Sequence, residues 1–462
     1  MSISKYIPEE LFRIFAETRV LRESRACVIV GGAIRDALRG IQSTDFDVEV
    51  YGVREEDLQE GLSGWGKVCS VGKCFGVIKL KTAEGRVYDF SLPRRDSKVA
   101  QGHKGFKVQC DPELTFYEAA SRRDFTINAI LYDLREDKLI DLFNGERDLR
   151  NGVLRHVGSA FVEDPLRVLR GMQFVSRLNL RTAPETIDLC RRIISTYSEL
   201  SKERIYGEWE KWAVKSEKPS LGIKFLEDIG WLKHYPDLLI LREKVFESSY
   251  GGSTDWLAII LDVCDRLVLM EEWKWFSSDT RIVLLFSALC LSMDEKESFN
   301  EEELFQMRRD ENRQNRESPT VKFLFSVGIA KWLQKRIFSI KRGWSFLRIL
   351  KNISPSDIRK LAYLVYPESI QNLICLCKAF EEENEFNKIS RIEFLAKSMG
   401  IETSAPVPLL KGELILEVSG LPSGPHIGKI QSAAFIAQLD GEFMDISSAK
   451  VWLKKYLKTY ET

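Results

Sequence analysis

No stretch of this sequence reaches the roughly 18 consecutive apolar residues that a membrane-spanning helix needs, so no such helix is expected. Charge of one sign is also lacking. The 68 Lys and Arg balance 68 Asp and Glu, so net charge names no partner and only local clusters can. Histidine is scarce, with four in 462 residues. The nine cysteines show no metal-binding or disulfide spacing, the nearest approaches being "CLC" at Cys375 and Cys377 and the pair Cys69 and Cys74. A zinc site and a disulfide framework are therefore not expected, and buried thiols in a reducing cytoplasm are. The opening "MSISKYIPEELFRIF" lacks a basic-then-apolar leader pattern, which agrees with a cytoplasmic protein. No internal repeat argues for a solenoid.

What is present divides in two. Up to about residue 155 the pattern is mixed α/β. "CVIVGG" predicts a strand running into a turn, "AIRDALRG" a helix that Gly40 can cap, "DFDVEVYG" a strand, "REEDLQEGL" a helix, and "FGVIKLKT" and "RVYDFSL" two further strands. After about 156 helical spacing dominates, beginning with "EDPLRVLRGMQFVSRL". "ESSYGGSTD" predicts a loop, and the charged "EEELFQMRRDENRQNRESP" a mobile stretch ending at Pro319. The tryptophans, including Trp209, Trp212, Trp273 and Trp275, are expected in the core.

The stretch "VIVGGAIRDALRGIQSTDFDVEVYG" carries the chemistry. Gly31 and Gly32, at a strand end before a helix, let backbone N–H groups approach a phosphate closely. Asp45 and Asp47 stand two apart in a β-branched run, so in a strand they face the same way. Two carboxylates on one face repel, and a divalent cation is the natural compensation. A phosphate cradle followed by a carboxylate pair is the layout of metal-assisted phosphoryl transfer. Asp89, on a further strand, is a candidate third catalytic carboxylate; a strand-end aspartate facing solvent is the bland alternative.

With "RRDFTINA" at 122–129, "DLFNGERDLRNGVLRHV" at 141–157, "EDPLRVLRGMQF" at 163–174 and "KERIYGEWEK" at 202–211, the chain resembles the class II tRNA nucleotidyltransferase and bacterial poly(A) polymerase family. The resemblance is strongest over about 25–215, and the tail "SGPHIGKIQSAAFIAQLDGEF" is similar to that of many tRNA-type members. It implies an α+β fold: a nucleotidyltransferase palm with a mixed sheet over 1–157, then an all-α neck (158–245), body (246–400) and tail (401–462). It implies Mg²⁺ at Asp45 and Asp47, and contacts to ATP and CTP from Gly32, Arg35, Arg122 or Arg123, Asp164, Arg167 and Arg170. Where members often carry a further arginine, this chain has Gln173. Many members continue with a His-Asp phosphohydrolase domain. Past residue 160 this chain has only His234 and His426, neither followed by aspartate, so that second activity is not expected.

The residues fit this chemistry. Cytosine and adenine each show an amino donor beside a ring-nitrogen acceptor, whereas uracil and guanine show the reverse. A fixed carboxylate and a fixed guanidinium, Asp164 and Arg167, would accept the first pair and refuse the second. The competing explanation of "EDPLR" is a helix start with an i,i+3 ion pair. Arg122 and Arg123 suit a triphosphate, or cap the preceding helix. Asn128 either bonds a ribose or closes a turn. Residues 90–110 hold Arg94, Arg95, Lys98, Lys104 and Lys107 against one acid, and are expected to form a mobile basic loop. Such a loop contacts tRNA phosphate or reshapes the pocket, unless it is only a solvated face. In the family a loop here is associated with terminal A addition. Lys429, in "SGPHIGKI", is a further candidate RNA contact. The expected function is template-independent addition or repair of the CCA at the tRNA 3′ end from CTP and ATP. The alternatives are a partial enzyme adding only A or only CC, a poly(A) polymerase, and a catalytically idle RNA-binding protein.

Overall fold

The structure, a computed structural model, describes residues 3–71, 76–98, 106–247, 253–294, 301–309, 317–380 and 386–460. The chain forms two compact units, Met1–His234 and Tyr235–Thr462. It is α+β, with a mixed sheet confined to the first unit and a largely helical remainder.

Among the described residues the nine longest strands of the first unit are β1 (Ala26–Val30), β2 (Phe46–Tyr51), β3 (Gly66–Val71), β4 (Val77–Thr82), β5 (Val87–Ser91), β6 (Arg94–Lys98), β7 (Phe106–Cys110), β8 (Leu131–Asp133) and β9 (Lys138–Ile140). Seven of them form one sheet in the order β3-β4-β5-β2-β1-β8-β9. β1 lies antiparallel between β2 and β8, and β2 runs parallel to β5. The period-2 alternation of β1 and β2 separates two layers. Cys27, Ile29, Phe46, Val48 and Val50 join Ile78, Leu80, Tyr88 and Phe90 in the main core. The helix Glu9–Glu17 adds Leu11 and Ile14 to it, and the helix Gly32–Leu38 adds Ile34. Val28, Val30 and Tyr51 face the other way into a smaller cluster with Ala119 and Leu131. Each fully buried aliphatic or aromatic side chain contributes about 1.5–3 kcal/mol, so a one-residue slip of β2 would exchange its apolar set for carboxylates.

Three helices, Leu166–Leu178, Lys202–Lys215 and Pro219–Asp228, pack against one another. Glycine permits the close approach: a Cβ on Gly222 would meet Ser176 Oγ at 2.4 Å and the Met172 carbonyl oxygen at 2.9 Å. Trp209 and Trp212 are fully buried there, with ring centroids 5.3 Å apart. Phe125 joins this layer to the palm through edge contacts with Phe161 (5.5 Å) and Phe174 (5.8 Å).

Among the described residues the second unit is helical apart from one antiparallel hairpin, Val245–Glu247 with Ser253–Asp255. Residues 248–252 of the predicted loop lie outside the described residues. Asp294 accepts hydrogen bonds from Ser318 (2.6 Å) and Thr320 (2.9 Å) and an ion pair from Lys341 (2.6 Å). The tail helices Gly412–Ser419, Pro425–Asp440 and Ile446–Tyr460 share a core of Ile415, Ile430, Ala434 and Leu453. Two expectations are corrected. The first part of the charged stretch is a helix, Glu301–Arg309, because Leu304 and Phe305 bury beneath it; 310–316 lie outside the described residues. Trp275, expected in the core with Trp209, Trp212 and Trp273, is 87% exposed at the end of a short 3-10 turn.

Candidate functional site

The site starts where β1 ends. Val30 pairs with Asp47 across the β1–β2 ladder, so the turn after Val30 is delivered beside that carboxylate. Gly31 has φ of +77°, a region costly for residues with a Cβ. A Cβ there would lie 3.5 Å from Arg123 Nη1 and 3.8 Å from Asp47 Oδ2. Gly31, Asp47 and Arg123 thus meet at one point. Gly32 opens the helix Gly32–Leu38, against Arg35.

Asp45, Asp47, Glu49 and Tyr51 alternate along and just before β2, giving one column of polar groups on one face. Among the described residues neither the Asp45 nor the Asp47 carboxylate has an ion-pair or hydrogen-bond partner; Asp45 bonds Ser43 only through its backbone. Solvent reaches Asp47, yet desolvation by the surrounding protein, and then the Asp45 charge, push its carboxyl up to about 6 despite Arg123 nearby. Asp89 stands level with Asp47 in the parallel register, but Lys79, directly opposite on β4, donates to both its oxygens at 2.8 and 2.6 Å.

Glu49 is buried beneath the two arginines. Its Oε1 accepts from Arg122 Nη2 (3.1 Å) and Arg123 Nη2 (2.8 Å), and its Oε2 accepts from the Tyr51 hydroxyl (3.0 Å). Next to them lies a second network. Asn128 donates to Asp124 (3.0 Å) and accepts from Arg35 Nη1 (2.6 Å). Asp124 also accepts from Arg170 Nε at 2.6 Å. Burial pushes the Asp124 carboxyl up, but Arg170, Asn128 and the Phe125 N–H outweigh it and hold the acid below its usual range. Arg35 is buried and also pairs with Asp36 at 2.8 Å. Both Arg35 and Arg170 lie over the Phe174 ring, at 5.3 and 5.4 Å. The structure therefore gathers Arg35, Asn128 and the half-buried Arg170 into one network around Asp124, and Arg122 with Arg123 into another beside the aspartates.

Asp164 precedes the helix Leu166–Leu178 and accepts from the Leu166 N–H (3.1 Å) and from Arg204 Nη2 (2.7 Å). Arg167 donates to the carbonyls of Ala160 and Arg122, both at 2.5 Å. Each side chain is thus held by a separate support, and Arg167 is tied to the backbone of the arginine pair. Glu49, Lys79 and Arg204 escaped the sequence reading. Glu49 alone had a legible signal, because it continues the Asp45, Asp47 alternation.

The expected mobile loop at 90–110 is corrected in part: β6 and β7 pair as a hairpin from Arg94↔Cys110 to Lys98↔Phe106. Arg95 is drawn to Asp111 (3.1 Å) and Glu118 (3.0 Å) rather than left for RNA alone. Lys104, with the rest of 99–105, and the side chain of Lys98 lie outside the described residues. Lys429 is exposed on the helix Pro425–Asp440 in the second unit.

The donor set suits a divalent cation that shares its coordination with phosphate oxygens. Two like-charged carboxylates stand together with no ion-pair partner among the described residues, and a bound cation would offset the desolvation and the repulsion from Asp45 that lift Asp47. Among the described residues no group of three or more His, Cys, Asp or Glu is disposed to hold a metal by itself. Two protein carboxylates completed by substrate oxygens is the manner of Mg²⁺ rather than of a closed protein cage.

Residues 27–155 match the family model of the poly A polymerase head domain. The multifunctional CCA protein of Nitrosospira multiformis is 32% identical over 289 residues, covering 57% of this chain and 67% of that protein. That of Stenotrophomonas maltophilia is 40% identical over 207 residues, covering 43% of this chain and 48% of that protein. The chain spans about half the length of most of the curated relatives it matches. The Bacillus stearothermophilus CCA-adding enzyme, solved in complex with CTP, superposes with a TM-score of 0.68 over 98% of each chain at 21% identity, a likeness of fold.

Proposed function

This chain belongs to the tRNA nucleotidyltransferase and poly(A) polymerase family, and from that membership we propose that it builds or repairs the 3′-terminal CCA of tRNA. It takes C and A from CTP and ATP, in the cytoplasm, and uses no nucleic-acid template. One observation carries the reading: Asp45 and Asp47, whose carboxylates have no partner among the described residues, share a face with the Gly31 turn and the Glu49-anchored arginines. The family generally depends on divalent metal. Asp45 and Asp47 would hold Mg²⁺, which when bound neutralises charge on the triphosphate and activates the attacking hydroxyl.

The chain's own residues bind and orient. Arg122 and Arg123, forked and charged, grip the phosphate chain, with the Gly31–Gly32 backbone close against it. The network of Arg35, Asn128, Asp124 and part-exposed Arg170 fixes the floor beside it, its members bonded to one another. Asp164 and Arg167 read the base edge. Their supports favour this: Arg204 holds the carboxylate, two carbonyls hold the guanidinium, and a carboxylate oxygen retains acceptor capacity beyond one partner. Cytosine and adenine present the same donor and acceptor to such a pair. Each reversed edge would leave a charged group unsatisfied at about 2–3 kcal/mol.

Asp45→Ala and Asp47→Ala test the assignment. Either should abolish incorporation of both C and A while tRNA affinity persists. Wild-type turnover in either variant would remove the metal assignment.

A further inference from the structure

We propose that Glu49 is a positioning residue for the phosphate chain of the incoming nucleotide, acting through Arg122 and Arg123. The inference rests on the nucleotide reading above and deepens it.

Glu49 is 2% exposed, and a buried carboxylate is tolerated only when its oxygens are satisfied. Here the two oxygens have separate duties. Oε2 takes the hydroxyl of Tyr51, a fully buried residue whose ring meets Phe116 edge-on at 5.0 Å, so Glu49 is aimed from beneath. Oε1 takes one Nη2 from each arginine, which ties two flexible side chains to a single point. Those side chains sit near the surface, 19% and 17% exposed. The Arg123 end reaches the Gly31 turn and the Asp47 side. One carboxylate shared by two guanidiniums cannot offset both charges, so Glu49 orders the arginines without cancelling them. Folding alone does not call for this arrangement, because a buried ion cluster is commonly no more stable than apolar packing of the same volume. Pre-ordering a pair of anion-binding forks is what a carboxylate beneath them accomplishes.

The test compares binding of CTP with that of cytidine monophosphate, which lacks the outer phosphates, to the purified full chain with Mg²⁺ and no tRNA. Wild type should prefer CTP. Glu49→Gln keeps the shape but not the charge, and should reduce that preference by about tenfold while affinity for the monophosphate holds. Tyr51→Phe, which only loosens the anchor, should reduce it by about twofold. An unchanged or larger preference in folded Glu49→Gln protein overturns the proposal. If that variant does not fold, Tyr51→Phe decides in the same two directions. A wild-type chain that does not prefer CTP removes the nucleotide reading and this proposal together. A wild-type preference kept by the variants removes only the role of Glu49.

Discussion

Arg204 gives the sharpest test of how the base is read, because it is placed to act on discrimination through another residue. Its Nη2 lies 2.7 Å from Asp164 Oδ2, with the two side chains 28% and 20% exposed. A hydrogen bond between charged groups contributes about 1.5–3 kcal/mol, and partial exposure puts this one near the lower end. Arg204→Met keeps the aliphatic stem and removes the donor. Among the described residues Asp164 then retains only the Leu166 N–H at 3.1 Å, which limits how far the carboxylate can swing. A loss of about 1.5 kcal/mol of orientation corresponds to about tenfold. The ratio of kcat/KM for CTP over UTP should therefore fall about tenfold, and that for ATP over GTP likewise, with KM for tRNA unchanged. Asp164→Asn should fall further, since an amide can turn its donor to the base. Single-nucleotide extension of tRNA transcripts measures all four ratios. A folded Arg204→Met protein that excludes UTP and GTP as strictly as wild type would refute the role of Arg204. If Asp164→Asn were also neutral, the base would be read elsewhere.

Other outcomes follow from the same geometry. Asn128→Ala breaks the bridge between Arg35 and Asp124 inside the protein, so urea unfolding should show a loss of about 2–3 kcal/mol, and a loss under about 0.5 would mean the network relaxes without it. Asp47 has a raised folded pKa, so its charge destabilises the metal-free protein as pH rises from the ordinary carboxylate range through about 6. Asp47→Asn should accordingly melt higher than wild type at pH 7.5 without metal and lose that advantage near pH 4.5; an equal advantage at both would assign the gain to something other than the charge. Replacing 99–105 by a short Gly-Ser link between β6 and β7 should depress ATP addition to tRNA ending in CC more than CTP addition to tRNA lacking CCA. Equal loss of the two steps would give that segment a general role in binding.

The palm was legible because its signals are local. A β-branched run ending in Gly31–Gly32, a helix and the Asp45, Asp47 alternation each follow from spacing, and the register of β1 on β2 then brings the glycine turn to Asp47. Partners set by distant pairing were not legible. Lys79 meets Asp89 because β4 folds back on β5, and Arg204 reaches Asp164 across 40 residues. Nor did composition reveal that Leu304 and Phe305 would fold a charged stretch into a helix, since two buried side chains outweigh its polar average. Trp275 shows the converse, where a bulky apolar residue near a buried Trp273 is left in solvent.

The central claim is most directly tested by the products the chain makes. Purified protein with Mg²⁺ is given tRNA transcripts ending before CCA, after C and after CC, with CTP and ATP separately and together, and the products are resolved at single-nucleotide length. The account predicts two C additions from CTP alone, one A addition from ATP to the CC-ended transcript, complete CCA with both, and then arrest. Long A tracts on any RNA end, addition of A alone or of CC alone, or no extension of any transcript would contradict it.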